Sequence, residues 1–89
     1  MPTYITLANY TNQGVKNIKE SVKANEEAIK TAEKMGEKVT GYYHIMGEYD
    51  VMVISECSSD EVAIAGSIMA SSDGNVRTTT LRAFTQEEF

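Results

Sequence analysis

Gly47-Glu48-Tyr49-Asp50-Val51-Met52-Val53-Ile54 is the stretch on which the fold turns. Its first half is turn chemistry. Gly47 can take the positive φ that a chain reversal needs, and the Asp50 carboxylate can accept from turn amides. Its second half is continuously apolar and mostly β-branched, the pattern of a central strand covered on both faces. Just upstream, Lys38 to Met46 carries Val39, Tyr42, Tyr43 and Ile45, a second run of strand formers. The short connection predicts an antiparallel hairpin, with strands over 38–46 and 50–57 and a turn at 47–49.

Working outward, Tyr4-Ile5-Thr6-Leu7-Ala8-Asn9-Tyr10 reads as a first strand, with Ile5 and Leu7 on one face and Tyr4, Thr6, Ala8 and Tyr10 on the other. Thr11-Asn12-Gln13-Gly14 offers capping groups. Val15, Ile18, Val22, Ile29 and Ala32 then repeat at helical spacing, predicting one helix of roughly 20 residues, or ~30 Å, closed by Gly36. After the hairpin, Ser58-Ser59-Asp60-Glu61 predicts a capping box with Ser58 as cap and Glu61 reaching back. A second helix runs from there to about Ala70, with Val62, Ala65, Ile68 and Met69 as its expected buried stripe. Ser71-Ser72-Asp73-Gly74 ends it, residues 75–84 form a fourth strand, and Thr85 to Phe89 is a polar tail.

The order is strand, helix, strand, strand, helix, strand. It predicts a single α+β domain over residues 1–89 of the ferredoxin-like βαββαβ type. Two right-handed crossovers put strands one and three in the middle of a four-stranded antiparallel sheet, with two helices on one face. The other face then exposes Met52 and Ile54, or Val51 and Val53, depending on register. An apolar patch of that kind on so small a domain predicts a homodimer or higher homo-oligomer.

Composition removes several classes of function. With 42% hydrophobic and 24% charged residues the chain is a folding one. Thirteen acidic residues against eight basic give a net charge of −5, which repels phosphate backbones, so no nucleic-acid partner is expected. No run of 18 apolar residues exists to span a membrane. Cys57 is the sole cysteine and Met1-Pro2-Thr3-Tyr4 has no signal-peptide character, which fits a cytoplasmic setting.

Candidate chemistry is sparse. His44 is the only histidine, and its ordinary pKa suits acid/base work. Asp50 is the second weak catalytic candidate. As the rim of a ligand pocket, Tyr43, His44, Tyr49, Asp50 and Arg82 are the expected contacts, because hairpin ends commonly border binding sites. Arg77 and Arg82, five apart on one strand, lie on opposite faces. His44, Cys57 and five methionines have no ligand-set spacing, so no metal is expected. No Gly-rich phosphate loop or dinucleotide fingerprint is present, so no cofactor is expected either.

Gly47-Glu48-Tyr49-Asp50-Val51-Met52-Val53-Ile54 and Gly74-Asn75-Val76-Arg77-Thr78-Thr79-Thr80-Leu81-Arg82-Ala83-Phe84-Thr85 resemble the signature of the GYD-domain family. Tyr4-Ile5-Thr6-Leu7-Ala8-Asn9-Tyr10-Thr11 with Gly14 fits the same pattern, so the resemblance spans essentially the whole chain. It implies a dimeric α+β barrel and carries no established general activity. The hairpin and the late Val-x-Thr-x-Thr strand are more distantly similar to the effector-binding domains of Lrp/AsnC-type regulators. That likeness implies association through sheets and small molecules held between subunits. No helix-turn-helix precedes the first strand, so the expected role is a stand-alone sensor or adaptor. The layout is also similar to small monooxygenases of the dimeric barrel superfamily. Two readings follow. The first is a noncatalytic small-molecule-binding or assembly module. The alternative is a small cofactor-independent enzyme, monooxygenase- or isomerase-like, in which His44, Tyr43 and Asp50 converge on one cavity. A lone histidine favours the first.

Overall fold

A computed structural model describes all 89 residues. The strands β1 (Thr3–Tyr10), β2 (Lys38–His44), β3 (Val51–Glu56) and β4 (Val76–Ala83) form one sheet in the order β2-β3-β1-β4, with every neighbouring pair antiparallel. Strands one and three are therefore central, as the βαββαβ order requires.

Three helices, rather than the two expected, lie on one side. The first predicted helix is divided into α1 (Asn12–Lys16) and α2 (Ile18–Lys34). Asn17 is the cause: its backbone leaves the helical region at φ −120°, ψ 48°, and its side chain donates to the Gln13 carbonyl at 3.3 Å. Asparagine offers the backbone this kind of local alternative. The break resets the helical phase, so Val15 and Ile18 face solvent and Ser21 is buried instead, its hydroxyl donating to the Gly14 carbonyl. Gly14 itself is packed so tightly that a β-carbon there would sit 2.0 Å from the Asn75 carbonyl oxygen.

The third helix, α3 (Asp60–Ser71), is capped by Ser59 and not by Ser58, since the Val62 amide donates to the Ser59 hydroxyl at 3.3 Å. Adjacent serines offer two equivalent caps to a sequence reading; the chain direction into the helix selects one. The expected stripe is also displaced. Ala63 and Ser67 face the sheet, while Ile64, Ile68 and Met69 point outward. A helix apolar on nearly every side has no periodic signal to mark its inner face.

The hairpin is looser than expected. Six residues, 45–50, separate His44 from Val51, and the loop is closed by the Ile45 amide donating to the Asp50 carbonyl at 2.9 Å. Gly47 has φ +110°, the conformation its position demanded.

Register settles which side chains face which layer. Thr6 pairs with Val53 on one side and Thr80 on the other, so Tyr4, Thr6, Ala8, Val51, Val53, Ser55, Val76 and Thr78 point toward the helices. Ile5, Leu7, Met52, Ile54 and Leu81 share the opposite face. A register irregularity between Val39 and Gly41 leaves Tyr42 on the helix side and Tyr43 on the open side. The core is built of two small clusters, Tyr4-Cys57-Ala63 and Ala8-Val51-Val76. Only ten residues are buried, so one copy leaves most of its apolar side chains partly wet.

Candidate functional site

A polar cluster forms where β1 ends beside the hairpin. The Tyr10 amide donates to the Asp50 carboxylate at 3.0 Å, and the Asp50 amide donates to the Ala8 carbonyl at 2.9 Å. Asp50 thus ties the hairpin to the end of β1. The Tyr10 hydroxyl accepts from the Asn25 side chain of α2 at 3.1 Å and lies 3.1 Å from His44 Nε2. The Tyr10 and His44 rings stack with centroids 6.5 Å apart, and Tyr42 tilts against His44 at 5.5 Å. Burial is the main cause that pushes the Tyr10 pKa up. Behind this cluster, between sheet and helices, lies a cavity of about 80 Å³ lined largely by apolar side chains, Tyr42 among them. The Tyr42 hydroxyl is buried without a partner.

The expected pocket rim is therefore only partly assembled. His44 and Asp50 are joined through Tyr10. Tyr49 is half-buried in the loop and makes no side-chain hydrogen bond. Tyr43 extends from the open sheet face, 51% exposed, away from His44. Arg82 sits at the other end of the sheet. It pairs across β1 with Tyr4, and Tyr4 and Ala8 are separated by ~13 Å at the usual strand rise. There the guanidinium lies 5.7 Å from the Tyr4 ring and 4.3 Å from the Phe84 ring, donates to the Thr3 and Ala83 carbonyls, and pairs with Glu88 at 3.7 Å. Those contacts occupy it structurally. The Tyr4 hydroxyl donates to Asp60, which, ahead of burial, pushes its pKa up to about 12.

Tyr10, Asn25 and Tyr42 were not among the expected contacts. Tyr10 and Tyr42 share the parity of the inward face on their strands, which is a legible signal for the first. The β2 irregularity hides it for the second. No three His, Cys, Asp or Glu side chains gather in a metal-binding group, and no helix is long and apolar enough to cross a membrane.

Two apolar surfaces remain uncovered. On the sheet, Ile5, Leu7, Tyr43, Met52, Ile54 and Leu81 form a continuous field across four strands, with the charged pair Lys38 and Glu56 at one corner and Arg77 at another. On α3, Ile64, Ile68 and Met69 make an outward ridge, each between 48% and 62% exposed.

A four-stranded antiparallel sheet in the order 2-3-1-4, with helices on one face and an apolar opposite face, defines a ferredoxin-like α+β domain. The chain belongs to the GYD domain family, whose model matches residues 4–89. Over 84 residues it is 27% identical to the glutamine synthetase and cystathionine beta-lyase binding protein of Thermus thermophilus, covering 93% of this chain and 88% of that one. Among solved structures, the crystal structure of TTHA0845 from Thermus thermophilus matches with a TM-score of 0.62 at 21% identity, over 96% of this chain and 95% of the other. An FFRP crystal structure matches with a TM-score of 0.57 at 20% identity, over 94% and 100%. These two likenesses establish the fold.

Proposed function

We propose that this domain is a noncatalytic assembly module that self-associates through its open sheet face and holds a partner enzyme on its helical side. One observation carries the reading: six large apolar side chains lie side by side on a sheet face that no element of the chain covers. Fully burying a side chain of this kind contributes roughly 1.5–3 kcal/mol, so a second copy placed against the field gains far more than solvent offers. Charges stand at its corners and not in its middle, which is the arrangement of an interface core with a polar rim.

The outward ridge of Ile64, Ile68 and Met69 is the surface left for a partner once two sheets have met. The relative from Thermus thermophilus is named for binding glutamine synthetase and cystathionine beta-lyase, and metabolic enzymes of that kind are the partners we assign to this chain. Catalysis by the hairpin cluster has less support: the Asp50 carboxylate is engaged by the Tyr10 amide, and Tyr43 lies on the opposite face from His44.

Sedimentation velocity at micromolar protomer tests the self-association. The wild type sediments as a dimer or larger, and Leu7→Lys, in the middle of the field, shifts it to monomer with its circular dichroism intact. A monomeric wild type overturns the sheet-face reading. Calorimetric titration with purified glutamine synthetase and cystathionine beta-lyase from the same source tests the partner. Binding that Ile68→Asp weakens by tenfold or more supports it, and no heat with either enzyme overturns it.

A further inference from the structure

We propose that the space between the sheet and the helices binds a small neutral carbonyl compound of about four to six heavy atoms, whose oxygen accepts a hydrogen bond from the Tyr42 hydroxyl. The inference stands apart from the partner-enzyme reading, since it concerns the interior of the domain and not its surface.

The Tyr42 hydroxyl is the one buried side-chain oxygen or nitrogen in the chain without a hydrogen-bond partner. Other inward hydroxyls are engaged: Ser21 with the Gly14 carbonyl, Ser67 with Thr80, and Tyr4 with Asp60. An unpaired buried hydroxyl costs stability, and a phenylalanine at the same place would avoid that cost. What the hydroxyl adds is the ability to donate to a molecule seated beside it. The ring is held for this, tilted against His44 at 5.5 Å and packed on the Ala8-Val51-Val76 cluster.

Tyr42 borders a cavity that the chain's own side chains leave unfilled. Its volume is about 80 Å³, whereas a single water needs about 10–15 Å³ of such space, so it takes a molecule of several heavy atoms. Folded interiors keep few voids larger than a water. Here the bulk that could fill the void is present but turned away. Ile64, Ile68 and Met69 of α3 point outward, and no leucine, methionine or phenylalanine borders the cavity. Ala32 and Gly66 border both this space and the groove at the surface between α2 and α3, which gives a ligand its way in.

The class of ligand follows from the lining. Beside Tyr42 the floor is made of Ala8, Val51 and Val53, so an apolar body must surround a single polar atom. Asn25 also borders the cavity, but its amide nitrogen is committed to the Tyr10 hydroxyl at 3.1 Å. A carbonyl brings an acceptor and no donor of its own, so one bond from Tyr42 satisfies it. Glu37 is the only charged side chain on the lining, and it turns carboxylates away. An ammonium brings three donors, for which the apolar floor has no acceptors.

The probe is butan-2-one, titrated into ¹³C,¹⁵N-labelled protein and followed by NMR. The expected result is saturable shifts, with intermolecular nuclear Overhauser effects from the ketone to the methyl groups of Ala8, Val51 and Val53. Butanoate and butylammonium should produce no such contacts. Tyr42→Phe keeps the ring and removes only the hydroxyl. It should hold or raise the melting temperature of the free protein. It should also shift the ratio of affinities for butan-2-one and its hydrocarbon isostere, 2-methylbut-1-ene, at least fivefold toward the hydrocarbon. Absence of saturable shifts, contacts confined to surface residues, binding of either charged molecule in the cavity as tight as that of the ketone, or an affinity ratio unchanged by Tyr42→Phe would each overturn the proposal. So would a Tyr42→Phe variant that melts lower or fails to fold, because the hydroxyl would then have a structural partner.

Discussion

Replacing Gly14 by alanine tests the packing of α1 against the loop before β4. The new methyl carbon would lie 2.0 Å from the Asn75 carbonyl oxygen, well over 1 Å inside van der Waals contact. That oxygen belongs to backbone and cannot rotate away. Two hydrogen bonds hold the same junction: the Thr11 amide donates to Asn75 O at 3.0 Å, and the Thr11 hydroxyl donates to Gly74 O at 2.6 Å. Separating α1 from the loop by the required distance breaks or stretches both, at about 1 kcal/mol each, and the residual crowding costs ~1–3 kcal/mol. Alanine returns about 1 kcal/mol through its better helix propensity. The net loss is about 2–4 kcal/mol, which lowers the melting temperature of a domain this size by about 10–30 °C. Gly66→Ala in α3 is the matched control. Its nearest neighbour is the movable Glu37 carboxylate at 3.3 Å, so propensity dominates and the melting temperature holds or rises slightly. The assay is thermal unfolding by circular dichroism at one protomer concentration, because the midpoint of an assembling protein depends on concentration. A Gly14→Ala variant that melts at or above the wild type would refute the close-approach reasoning.

Asp50→Ala removes the acceptor of the Tyr10 amide and should cost about 1.5–3 kcal/mol in urea unfolding, with Asp50→Asn retaining much of that stability; equal losses would mean the carboxylate acts otherwise. Ser59→Ala should cost ~1 kcal/mol through loss of the α3 cap, while Ser58→Ala should be nearly silent; the reverse ranking would restore Ser58 as the cap. Tyr4 should ionise near pH 12 in an ultraviolet titration, and Asp60→Asn should bring it down. Because its folded pKa is raised above the ordinary 10.0, its contribution to stability is complete below pH 10 and is lost as pH rises through about 12.

Much of this architecture was legible in one dimension. Alternation in β1 assigned Ile5 and Leu7 to one face and Tyr4, Thr6 and Ala8 to the other, and the sheet keeps that division. Gly36 and Gly47 both take the positive φ that their positions required. The helices were less legible in detail. Asn17 interrupts a pattern that hydrophobic spacing reads as continuous, and α3 is apolar on too many sides for its inner face to be marked. The pocket rim was the least legible part, because strand parity separates neighbours such as Tyr43 and His44 while register joins Tyr10 to His44 across 34 residues.

By itself, then, the sequence determined the order of elements, the hairpin pivot and the two-sided apolar character of the central strands, all of which follow from local periodicity and turn chemistry. Only the tertiary structure decided that Met52 and Ile54, and not Val51 and Val53, form the open face, because a shift of one residue in register exchanges the two sets completely. It also decided that Glu37 stands without a cation beside Gly66, a juxtaposition that depends on how α3 docks onto the sheet and on no property of either residue alone.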